Sequence, residues 1–95
     1  MALPPLLFSG HALQRMIPRG IGEPDVRSVL ETGDAIEDYP DDTPYPSALY
    51  LGFVSGRPVH VVAATDAQTP QIIVVTVYIP DSALWDATFR RRVVP

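Results

Sequence analysis

The chain has 95 residues, 46% of them apolar, enough for one hydrophobic core and too few for two. Eleven acidic residues against seven basic ones give a formal charge of −4, which argues against a general nucleic-acid coat. The absence of cysteine excludes a disulfide framework, a thiolate zinc site and a cysteine nucleophile.

In chain order, the opening Met1-Ala-Leu-Pro-Pro-Leu-Leu-Phe8 has no basic segment and only a short apolar stretch, so it does not read as a signal peptide. No apolar run approaches the ~20 residues of a membrane span. The expectation is a single cytoplasmic domain over residues 1–95. Ser9 is a good N-cap, and Ala12, Leu13, Met16 and Ile17 form an apolar stripe at helical spacing. Pro18 ends or bends this first helix, because it removes a donor and disfavours helical geometry at Ile17. A second helix starts after Gly22, with Pro24, Glu23 and Asp25 in its first turn, and closes at Gly33; its apolar face is Val26, Val29 and Leu30.

From Ala35 the period changes to two. Ala35–Tyr39 is a short strand, and Pro40 to Pro46 a polar loop. Three stronger strands follow at Ala48–Val54, Pro58–Asp66 and Ile72–Ile79, the first two joined by a tight hairpin at Ser55-Gly56-Arg57. Pro80 stops the last strand, and Asp81 caps a short helix with Trp85 and Phe89 on its inner face. The fold class is α+β: two N-terminal helices packed on one face of a four-stranded, mainly antiparallel sheet, with a short C-terminal helix. Strand parity assigns the odd positions to the helices, among them Leu49, Leu51, Val59, Val61, Val75 and Val77. The even positions then place Tyr50, His60, Thr76 and Tyr78 together on an open face, beside Gly52.

One imidazole flanked by two phenols is a surface for proton transfer or base stacking. His60 and Tyr78 are therefore the candidate catalytic residues, with Tyr50 orienting or stacking and Arg57 supplying a cation from the hairpin mouth. The ordinary alternative is a set of cross-strand pairs with good sheet propensity. His11 and Arg15 project together from the first helix, and Arg19 follows just past Pro18. They either hold an anion or pair with the five acids of residues 34–47 (Asp34, Glu37, Asp38, Asp41 and Asp42). No metal is expected, since nothing in the spacing brings His11 and His60 onto Asp38, Asp41 or Asp42. No cofactor is expected either: the six glycines are isolated and form no phosphate-cradling loop.

Read together, the motifs resemble a family. They run Ser9-Gly-His11-Ala12, Arg15-Met16, Arg19-Gly20-Ile21, Asp25-Val26, Val29-Leu30 and Gly33, then Ile36-Glu37-Asp38-Tyr39-Pro40-Asp41-Asp42 and Pro44-Tyr45-Pro46-Ser47. Gly56-Arg57-Pro58-Val59-His60-Val61-Val62, Thr76-Val77-Tyr78-Ile79-Pro80-Asp81 and Trp85 complete the succession. The order is similar to that of the domain-of-unknown-function family 4258, small prokaryotic proteins, from about Ser9 to Arg92, and departs from its pattern mainly at Pro18. The family in turn resembles the RelE/ParE and BrnT-like toxin folds, which implies two helices on an antiparallel sheet. Some relatives by fold are ribonucleases that cut messenger RNA and are neutralised by a bound antitoxin. Fold does not transfer chemistry, and the active members have basic sheet faces where this chain is acidic. Two functions follow as expectations. One is a non-catalytic toxin-fold interaction domain that binds a protein partner or itself through the Tyr50/Val62/Val74/Tyr78 face. The other is a RelE-like endoribonuclease with His60 and Tyr78 in general acid–base roles and Arg57, Arg15 and Arg19 near phosphate.

Overall fold

A computed structural model describes residues 3–66 and 68–93. The elements are β1 (Leu6–Phe8), α1 (Gly10–Met16), a 3-10 turn (Ile17–Arg19), α2 (Glu23–Thr32), β2 (Asp34–Tyr39), β3 (Ser47–Val54), β4 (Arg57–Asp66) and β5 (Gln71–Tyr78). One five-stranded mixed sheet has the order β1-β5-β4-β3-β2, and no helix among the described residues is long and apolar enough to cross a membrane.

The helices start where capping chemistry allows. The Ser9 hydroxyl oxygen accepts from the Ala12 N–H at 3.0 Å while its O–H donates to the Val75 carbonyl at 2.7 Å, so the same cap ties α1 to β5. At α2 the Asp25 carboxylate accepts from the Gly22 N–H at 2.8 Å, one half of a capping box. Ala12, Met16, Ile21, Val26 and Val29 form the helical side of the core. Two glycines let α2 sit close on the sheet. A Cβ on Gly52 would lie 2.9 Å from Val29 Cγ2, and one on Gly33 would lie 2.5 Å from the Val29 carbonyl oxygen and press on that of Leu51 as well.

The expected four-stranded, mainly antiparallel sheet with a C-terminal helix is corrected in two respects. First, Leu6–Phe8 adds a fifth strand at the edge, parallel to β5 through Leu6↔Ile72 and Phe8↔Val74. Leu6 and Phe8 pack on the core and Leu7 faces away, 50% exposed; three residues are too few for a readable period. Second, Asp81 does not start a helix. Its side chain accepts from the Ala83 N–H at 2.8 Å, but Asp86 Oδ1 then gathers the Thr88 N–H, the Thr88 hydroxyl and the Arg90 N–H. With Phe89 in the left-handed region at φ 60°, the chain folds back on itself and bridges Trp85 to Arg92. Residues 80–93 thus form an irregular strap.

The expected face assignment also changes. Ser55 and Gly56 both have positive φ, 52° and 80°, which is the two-residue turn whose twist suits a hairpin. Val54 therefore pairs with Arg57, and even positions of β3 meet odd positions of β4: Gly52↔Val59 and Tyr50↔Val61. Counting Arg57 into the turn shifts this register by one and inverts β3. Tyr50 and Gly52 lie with the helices, and Leu49 and Leu51 lie on the far side with His60. A bulge opposite Val62/Ala63 inverts the lower half of β5 in turn. Val74 consequently enters the core and Val75 is 39% exposed.

Candidate functional site

The far side of the sheet is where the chemistry-bearing groups gather. His60 stands opposite Tyr78 across β4 and β5, and its imidazole is fully buried. The Nε2 atom lies 2.8 Å from the Phe89 carbonyl oxygen. A carbonyl only accepts, so Nε2 carries the proton and the neutral tautomer is set. Nδ1 then accepts from the Tyr78 hydroxyl, 3.1 Å away. The Trp85 ring stands edge-on over the imidazole with centroids 4.5 Å apart, and the Arg92 guanidinium lies 4.8 Å from the centre of the Trp85 ring. The order outward from the sheet is imidazole, indole, guanidinium.

Electrostatics follow from this burial. Desolvation lowers the His60 pKa, the Phe89 carbonyl works against that, and the charge of Arg92 adds to the lowering while that of Glu37 opposes it. Burial likewise raises Tyr78. Tyr39 on β2 is pushed up to about 12 by burial, by its 2.8 Å hydrogen bond to Glu37 and by the charge of that carboxylate. The depressed His60 has a consequence for stability. The unfolded chain protonates near the ordinary value of ~6.5, the folded one only below it, so between the two pKa values the unfolded state binds more protons. Stability is full above that range and falls as pH drops through it. Urea midpoints measured between pH 7.5 and pH 5 should decline, and the His60→Gln variant should show a flatter profile.

The other candidates lie elsewhere. Tyr50 is half-buried in the core on the helix side, across the sheet from His60. His11 and Arg15 are exposed on α1. Arg19 and Arg57 meet beyond its end, where the Arg57 guanidinium donates to the Arg19 carbonyl at 3.4 Å and the Arg19 guanidinium donates to that of Arg15 at 3.2 Å. Tyr78 joins His60 and Tyr50 does not; the three arginines join one another and not His60. Of the expected partner face, only Val62 and Tyr78 lie on the far side. Of the acids of 34–47, Asp34 is met by the tail, in an ion pair with Arg90, while Glu37 accepts from the Tyr39 hydroxyl and Asp42 from the Ser47 hydroxyl. Among the described residues no three His, Asp or Glu side chains are grouped to hold a metal ion. Sequence reasoning missed Trp85, Arg92 and the Phe89 carbonyl as the cover of His60. The signal was the single tryptophan followed by three consecutive arginines.

With this geometry in hand, a family model described as a domain of unknown function (DUF4258) matches residues 8–79. No curated protein and no solved structure matches the chain.

Proposed function

This chain belongs to the DUF4258 family, and we propose that it is a non-catalytic interaction domain that binds a protein partner. The observation that carries this reading is the condition of His60: fully buried, capped by Trp85, and bonded through both ring nitrogens within the chain. A general base must reach its substrate's proton directly or through one water, and both ring nitrogens of this buried imidazole are already engaged, by Tyr78 and by the Phe89 carbonyl. The surface offers large apolar side chains instead, with Ile17 77% and Phe53 59% exposed.

The second reading, a RelE-like endoribonuclease, draws on one specific observation. His60 and Tyr78 are hydrogen-bonded to each other, as an acid–base pair would be. The strap covering them, residues 80–93, lies outside the matched 8–79, and cleavage by this pair requires the strap to leave. A short labelled RNA incubated at low salt, where phosphate contacts are strongest, separates the two. Neither wild type nor His60→Gln should cleave it. Cleavage by wild type that disappears in the variant would overturn the non-catalytic reading.

A further inference from the structure

The strap of residues 80–93 makes its hydrogen bonds mostly to itself. The N–H groups of Leu84, Trp85, Asp86, Phe89 and Val93 donate to carbonyls within the strap, and the Asp81 and Asp86 carboxylates take further N–H groups of the same segment. Among the described residues two polar contacts leave it: the Phe89 carbonyl accepts from His60 Nε2–H, and Arg90 donates to Asp34. The third attachment is the Trp85 indole, 4% exposed and set edge-on over the imidazole. The strap is thus a preformed turn seated on the sheet by an aromatic ring, a carbonyl and a guanidinium. Charge has the matching sense: residues 1–79 hold nine acidic residues against four arginines, and the strap three arginines against two acids. The seat is not completely filled. A cavity of about 260 Å³ lies beside Arg90, between Asp34, Leu51 and Phe53. Phe53 projects to the same face as Leu51, two residues away on β3, and is 59% exposed.

We propose that the far face of the sheet around His60, Asp34 and Phe53 is a binding site for a turn-forming segment of another protein, and that the strap occupies it as an intramolecular stand-in. The strap itself defines the occupant. It is a segment with an aromatic side chain to cover His60, a backbone carbonyl for Nε2–H and an arginine for Asp34. A further apolar side chain covers Phe53, where the strap leaves the ring open. The proposal deepens the interaction-domain reading and rests on it. Contact with Phe53 is what lets a partner displace the strap, since a tethered segment otherwise holds the advantage of effective concentration. The strap of a second copy gains no such contact, and the excess of acid on residues 1–79 repels a polyanion.

The probe is a fluorescein-labelled peptide with the sequence of residues 80–93, titrated by anisotropy against the full chain. Wild type should bind it weakly, because its own strap competes. Trp85→Ala, which takes the indole from that strap, should bind the peptide more than about tenfold tighter. The same peptide with its tryptophan exchanged for alanine should not bind. Arg90→Ala, an exposed change that leaves the core alone, should tighten the peptide about threefold, and Asp34→Asn added to it should reverse that gain. Peptides selected from a random displayed library against Trp85→Ala that outbind the strap peptide should carry an aromatic residue and an arginine. They should lose affinity for Phe53→Ser. Trp85→Ala that melts cooperatively yet binds no tighter than wild type overturns the site; where that variant does not fold, Arg90→Ala without a gain overturns it equally. Selected peptides indifferent to Phe53→Ser overturn the choice of another protein as occupant, as does a wild-type dimer in sedimentation that Trp85→Ala abolishes. Failure here with no RNA cleavage leaves the non-catalytic reading standing, whereas cleavage by wild type sinks that reading whatever the peptide does.

Discussion

His60→Ala should cost about 4 kcal/mol of folding stability, the range for removing a large ring from a sealed site. Three losses combine. The imidazole is fully buried, so its removal leaves a cavity beneath Trp85. The Phe89 carbonyl and the Tyr78 hydroxyl each lose a partner in a place water does not reach freely. The strap also loses its central attachment to the sheet. For a domain of this size the melting temperature should fall by roughly 15–30 °C, read directly from fluorescence of the single tryptophan, which sits on the mutated residue. A loss below about 1 kcal/mol would mean that the strap is held mainly by Arg90–Asp34 and by its own turns, and that His60 is not its anchor.

Gly33→Ala should be nearly as damaging, at about 3 kcal/mol, and for the opposite reason. The φ of Gly33 is −82°, so alanine suits the local backbone. What it lacks is room. The added methyl meets the Val29 carbonyl oxygen at 2.5 Å and crowds the carbonyl of Leu51, and neither is the flexible end of a side chain. Relief requires α2 to lift from β3, which also disturbs the Gly52–Val29 contact. Urea unfolding of the variant beside Gly10→Ala, where a Cβ meets nothing within 4 Å, checks this. Equal behaviour of the two variants would refute the close-approach account.

Much of this architecture was legible in the residues. Ser9, Gly22, Asp25 and Gly33 mark the helix ends through groups that satisfy or spare orphan backbone donors, and such signals are local. The alternation within each strand was equally readable. Its phase was not, because phase between strands rests on turn length. Whether Arg57 belongs to the turn or to β4 decides which side Tyr50 occupies, and only the positive φ of both Ser55 and Gly56 decides that. The bulge in β5 inverts Val74 and Val75 without any glycine or proline to announce it. The His60–Tyr78 pairing did not suffer from the phase error, because the upper half of β4 and β5 pairs in register above the bulge. The cover of His60 was hidden for a different reason: it depends on a backbone carbonyl, and every residue has one.

The position of β1 has a bearing on how the chain reaches this fold. Residues 6–8 pair with residues 72–74, so β1 has no place in the sheet until β5 exists. The Ser9 cap waits on β5 for the same reason, through Val74 and Val75. The β2–β3–β4 meander, built from neighbours in sequence, can form while the ribosome still holds the rest. The β1–β5 pairing closes a loop of more than sixty residues, a long-range contact of the kind that slows folding. Until it closes, the apolar edge of β5 stays uncovered, and that interval is when a nascent chain of this design is most exposed to aggregation.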